Sequence, residues 1–84
     1  MSYFVYILES LKNGTYYIGS TQDIEERLKR YNQGRSKYTK TGMPWKLVYT
    51  EKFSDRSSAL KRENLIKRRK KKDYIEKLVR TSRP

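Results

Sequence analysis

Apolar and polar positions along the chain switch between two periods, and the switches mark the elements. Residues 3–9 (Tyr-Phe-Val-Tyr-Ile-Leu-Glu) and 15–19 (Thr-Tyr-Tyr-Ile-Gly) are dense in β-formers and read as two strands. Lys12, Asn13 and Gly14 between them supply turn chemistry, so the pair reads as a β-hairpin. The period then lengthens: Ile24, Arg27, Leu28 and Tyr31 share one helical face, with Ser20, Thr21 or Asp23 as N-cap and Gly34 as stop. Residues 35–44 read as a basic loop, and residues 45–50, extending toward Phe53, as a third strand. A second helix starts at Ser54 or Asp55 with a stripe of Ala59, Leu60, Glu63 and Ile66. A third is capped by Asp73, with Glu76 completing a capping box and Tyr74, Ile75, Leu78 and Val79 on its apolar side. The order β-β-α-β-α-α predicts an α+β fold, a small antiparallel three-stranded sheet flanked by helices. Residues 1–84 read as a single domain with its core in 3–80 and a frayed tail at 81–84.

Composition narrows the chemistry. Ala, Val, Ile, Leu, Met, Phe, Trp and Gly together make about 30% of the 84 residues, below the roughly 45–50% of an ordinary domain. The eight tyrosines must therefore supply part of the core. The chain contains neither histidine nor cysteine, which excludes disulfides, thiolate nucleophiles, cysteine zinc clusters and imidazole bases. No apolar run is long enough for a signal peptide or a transmembrane helix, and a cytoplasmic protein is expected.

The formal charge of +12 is uneven, with +3 on residues 1–42 and +9 on residues 43–84. Residues 61–72 hold eight basic side chains. Such a field suits a polyanion, and nucleic acid foremost. Leu65 and Ile66 are too few apolar contacts for a membrane-surface helix.

Two charges stand on faces meant for the sheet: Arg27 beside Ile24 and Leu28, and Glu63 between Leu60 and Ile66. A half-buried carboxylate is costly unless it is paired or binds a metal. Either the two form an internal salt bridge, or they serve one phosphate centre, with Glu63 on Mg²⁺ or Mn²⁺ and Arg27 clamping a phosphate oxygen. The pattern leaves both open.

These residues in this order resemble the GIY-YIG nuclease family. Its second tripeptide stands unaltered as Tyr17, Ile18 and Gly19, and the first appears as Phe4, Val5 and Tyr6, keeping the tyrosine. Ser20 and Thr21, Arg27, Gly34, the strand with Trp45, Leu47, Val48 and Tyr49, and Glu63 fall at fitting positions over residues 3–80. The resemblance implies an endonuclease that hydrolyses DNA phosphodiesters with one divalent metal, Mg²⁺ or Mn²⁺, structure-selectively in repair or recombination. It makes Glu63 the metal ligand, Arg27 the residue that steadies the phosphate, and Tyr6 and Tyr17 the pair that orients or activates water. Tyr31 stands where many members carry histidine, as in the repair-nuclease branch. Asn32 follows it as in many relatives.

A phenol near pKa 10 is a poor base at neutral pH, and the surrounding cations are expected to lower it. Whether Tyr6, Tyr17 or a metal-activated water accepts the proton stays open. Arg35, Lys37 and Lys40 from the loop, with Lys67, Arg68, Arg69, Lys70 and Lys71, are the expected backbone-holding surface. Two other functions compete: a non-catalytic DNA- or RNA-binding module that keeps the fold, and an accessory subunit whose protein partner supplies targeting.

Overall fold

The structure is a computed structural model, and it describes residues 2–34, 40–69 and 72–81. Among these residues three strands, β1 (Tyr3–Ser10), β2 (Tyr16–Thr21) and β3 (Trp45–Phe53), form an antiparallel sheet in the order β2-β1-β3. Three helices accompany it, α1 (Ile24–Asn32), α2 (Arg56–Arg69) and α3 (Lys72–Thr81). The expected order β-β-α-β-α-α and the α+β class are those observed.

Central β1 is covered on both faces. Val5 and Ile7 pack with Ala59 and Ile66 of α2 and Ile75 of α3, and Tyr74, Leu78 and Val79 join them. The alternate residues Tyr6 and Leu8 pack on the other face with Trp45, Leu28 and Tyr31. A strand in the middle layer needs apolar residues at consecutive positions, which explains the nearly unbroken run in β1.

The hairpin register pairs Tyr6 with Gly19 and Leu8 with Tyr17, so Tyr6 and Tyr17 rise from the same face of the sheet. Gly14 in the turn takes φ +74°, and Asn13 Oδ1 accepts from Thr15 N at 3.1 Å. β3 carries an irregularity: Ile7 pairs with Tyr49 but Leu8 with Leu47, leaving Val48 as an extra residue. A one-residue slip reverses side-chain facing. Leu47 and Trp45 are thereby turned to the face of Tyr6, while Tyr49 stays on the face of α2 and α3.

Asp23 caps α1 by accepting from Glu26 N at 3.1 Å, and Asp55 caps α2 by accepting from Ser58 N at 2.7 Å. That amide holds the exposed Asp55 carboxyl below its ordinary range. Gly34 follows α1 at φ +67°, as a helix stop requires.

Two details of the sequence reading are corrected. Leu60 is 38% exposed; the inward stripe of α2 runs through Ala59, Arg62, Glu63 and Ile66. Arg62 takes that place because its guanidinium has a partner there: Nε lies 3.0 Å from Glu51 Oε2 on β3, and Tyr49 OH donates to the same oxygen. Asp73 lies inside the first turn of α3, where its charge favours the helix dipole, and does not cap from outside.

Candidate active site

The site grows from the face of the sheet that α1 covers. Tyr6 is 2% exposed, and its hydroxyl hydrogen-bonds the Tyr31 hydroxyl at 3.0 Å. Tyr17 stands edge-on to Tyr31, with ring centroids 5.0 Å apart, and is 37% exposed. Trp45 completes an aromatic cluster, 6.3 Å from both Tyr17 and Tyr31. Sequence reasoning placed Trp45 in a strand without assigning it to this face.

Gly19 explains how Tyr6 fits. A Cβ at position 19 would stand 2.6 Å from Tyr6 Cζ, closer than real side chains approach, so the ring lies directly over the glycine. Asn32 has an equally definite task. Its amide donates to Trp45 O at 3.1 Å and accepts from Trp45 N at 2.7 Å, tying the end of α1 to the start of β3. Ser10, fully buried, donates to Gly42 O at 2.6 Å and so fastens the hairpin end to the segment entering β3.

The electrostatics correct one expectation. Burial pushes the Tyr6 hydroxyl above its ordinary range; hydrogen bonding to Tyr31 and the positive charge of Arg27 pull it down, but burial wins. Tyr31 is pushed up still further, by burial and by the hydroxyls of Tyr17 and Tyr6. Arg27 acts in the expected direction, but burial outweighs it, and both phenols stay above their ordinary range.

Arg27 and Glu63 both act through the electric field on the Tyr6 hydroxyl, Arg27 lowering and Glu63 raising its pKa. They form no ion pair with one another within 4 Å. Glu63 Oε2 lies instead 2.6 Å from Nζ of Lys67, one turn along α2, and the Glu63 side chain keeps only 12% exposure. The internal Arg27–Glu63 bridge is therefore absent. Among the described residues no group of three or more His, Cys, Asp or Glu gathers. A lone carboxylate oxygen donor still suits a hard divalent cation that fills its shell with water and phosphate oxygens.

Of the expected backbone-holding residues, Lys40, Arg68 and Arg69 are exposed. Arg69 lies 5.3 Å over the Tyr74 ring, and Lys67 is engaged by Glu63. Arg35, Lys37, Lys70 and Lys71 lie outside the described residues. No helix among the described residues is long and apolar enough to cross a membrane.

Comparison with known proteins agrees with the fold. The model of the GIY-YIG catalytic domain matches residues 2–77. A UPF0213 protein from Streptococcus pneumoniae is 41% identical over 69 residues, covering 81% of this chain and 69% of its own. One from Bacillus licheniformis is 42% identical over 79 residues, covering 89% and 80%. The solution NMR structure of the UPF0213 protein BH0048 from Bacillus halodurans superposes with a TM-score of 0.61 at 34% identity, over 98% of this chain and 86% of that one.

Proposed function

The chain belongs to the GIY-YIG catalytic domain family, and from that premise we propose that it is a divalent-metal-dependent endonuclease acting on DNA phosphodiester bonds. Structure-selective cleavage in repair or recombination is the role that suits it. The observation that carries the reading is the convergence on one buried hydroxyl: Tyr6 is bonded to Tyr31 and lies in the fields of Arg27, Tyr17 and Glu63.

Each residue then has a task. Arg27 offers a fork of donors to the scissile phosphate, where negative charge grows as water adds. Glu63 holds Mg²⁺ or Mn²⁺, which when bound supplies positive charge to the phosphate oxygens. Tyr6, kept protonated by burial, holds Tyr31 through their shared hydrogen bond, and the pair supports Tyr17 in orienting water at the reacting centre. Tyr17, reaching solvent, positions the attacking water. Water's oxygen bonds to phosphorus, and one phosphorus–sugar oxygen bond breaks with its electron pair passing to the sugar oxygen. The water's proton leaves toward the solvent side where Tyr17 stands, and the sugar oxygen takes up a proton from solvent.

A second reading, a nucleic-acid-binding module without catalysis, draws on the Lys67 ammonium that already neutralises Glu63. Incubation of the pure protein with flap, forked and linear DNA, with and without Mg²⁺ or Mn²⁺, separates the two. Metal-dependent nicking lost in Glu63→Gln supports the endonuclease. Equal cleavage by both proteins, or salt-sensitive binding with no cleavage on any substrate, overturns it.

A further inference from the structure

A cleft of about 460 Å³ opens where β2 ends, between the N-terminal parts of α1 and α2. Arg27 and Arg30 line it from α1, Arg56 from α2, and Ser20 and Thr21 from the end of β2. We propose that this cleft binds a second phosphodiester group of the nucleic-acid strand, beyond the one that Arg27 and Glu63 handle. The proposal rests on the nucleic-acid reading above and deepens it by fixing where the strand runs.

The charges in the cleft favour an anion. Two carboxylates are present, but neither answers the arginines firmly. Asp23 spends its Oδ1 on Glu26 N as the helix cap. Glu26 meets Arg30 at 3.3 Å, with both side chains more than half exposed, a pairing weak enough for a phosphate to replace. Neither Arg27 nor Arg56 has a carboxylate within 4 Å among the described residues. With Arg27, at the edge of the cleft, engaged by the reacting phosphate, two guanidinium groups are left for a neighbouring one. Among the described residues these are Arg56, which has no carboxylate within 4 Å, and Arg30, whose only ion-pair partner is the exposed Glu26. Planar forks of this kind match phosphate oxygens two at a time.

The cleft shares Arg27 with the scissile centre and extends beyond it toward Arg30 and Arg56. Arg56 and Glu63 are seven residues apart on α2, hence on one face and about 10 Å apart along the axis. Arg30 follows Arg27 by one turn on α1. A strand whose reacting phosphate lies between Arg27 and Glu63 therefore reaches Arg30 and Arg56 with a neighbouring phosphate.

Fluorescence anisotropy in metal-free buffer tests this with single-stranded oligonucleotides, each carrying one uncharged methylphosphonate at a different position. For the wild-type protein one position flanking the centre should weaken binding about tenfold when neutralised. In Arg56→Gln that position should lose its effect, and the slope of log affinity against log salt should fall by about 0.7. Arg56→Lys, which keeps the charge, should retain the slope. Identical position profiles in wild type and Arg56→Gln would overturn the subsite, as would inorganic phosphate at matched ionic strength displacing none of the strand. Cleavage with unaltered profiles sinks the subsite alone. A shifted profile without any cleavage sinks the endonuclease alone.

Discussion

Lys67 Nζ lies 2.6 Å from Glu63 Oε2, so the carboxylate proposed to bind metal already has a cation one helical turn away. The pair spans positions i and i+4 on α2, the spacing at which helical side chains meet. Lys67 is about half exposed whereas Glu63 is nearly covered, so the lysine is the partner free to leave.

A cation arriving at Glu63 must displace that ammonium. Removing it in Lys67→Ala should tighten Mn²⁺ binding in the absence of nucleic acid by about two- to fivefold, the worth of a partly exposed ion pair. Titration followed by the electron paramagnetic resonance of free Mn²⁺ reads this directly, with Glu63→Gln as the non-binding reference. Unchanged or weaker binding by Lys67→Ala would show that the lysine does not compete.

The Tyr6–Tyr31 hydrogen bond is partly buried, with the Tyr6 side chain almost fully covered. Tyr31→Phe removes one oxygen, leaves the ring stacking in place and strands the Tyr6 hydroxyl. A loss of about 1–3 kcal/mol in urea unfolding is expected, larger than for an exposed tyrosine such as Tyr17→Phe. Equal losses for the two variants would mean that water reaches Tyr6.

Alkaline pH probes the hydrogen-bonded pair of phenols. Tyr6 and Tyr31 both have folded-state pKa values raised above the unfolded value near 10. Above that pH the unfolded chain gives up these protons while the folded chain holds them. Stability is therefore full below about pH 10 and declines as pH rises, by up to about 1.4 kcal/mol per pH unit for each tyrosine. Denaturant midpoints measured across this range should fall less steeply for Tyr31→Phe than for wild type. Parallel curves would mean that Tyr31 ionises alike in both states.

The outline of the fold was legible because hydrophobic period and cap chemistry agreed. The hairpin, Asp23, Asp55 and Gly34 all act as their local sequence suggests. Arg27 and Glu63 stood out because each broke an apolar stripe. What stayed hidden depends on register and distant partners. The extra residue at Val48 turns Trp45 toward the tyrosines, and no local pattern announces such a slip. Leu60 looked like core until Arg62 found Glu51 across the sheet. The pKa directions of Tyr6 and Tyr31 followed burial, which a net charge of +12 does not reveal.

The Asn32 amide makes two hydrogen bonds to the backbone of Trp45, and both are lost in Asn32→Leu. The substitution should cost about 1–3 kcal/mol and loosen the start of β3. Hydrogen exchange at the Trp45 amide, which donates to Asn32 Oδ1, should accelerate more than exchange at amides of the hairpin. Uniform acceleration across the sheet would indicate a global loss of stability with no local tether.

Gly19 and Tyr6 should prove energetically inseparable. The two are direct cross-strand partners, and the ring of Tyr6 occupies the space a side chain at position 19 would need. Gly19→Ala forces either the ring or the β2 backbone to move, an overpacking that costs about 1–3 kcal/mol. The backbone at Gly19 has no positive φ, so the penalty comes from the ring and not from the glycine's conformational freedom. Tyr6→Leu removes the obstructing phenol at its own cost, as a large side chain is cut from a buried position. In the double variant the alanine methyl meets little resistance, so the combined loss should fall short of the two single losses by at least about 1 kcal/mol. Urea unfolding of the four proteins measures this coupling. Additive losses would place the strain of Gly19→Ala somewhere other than the Tyr6 ring.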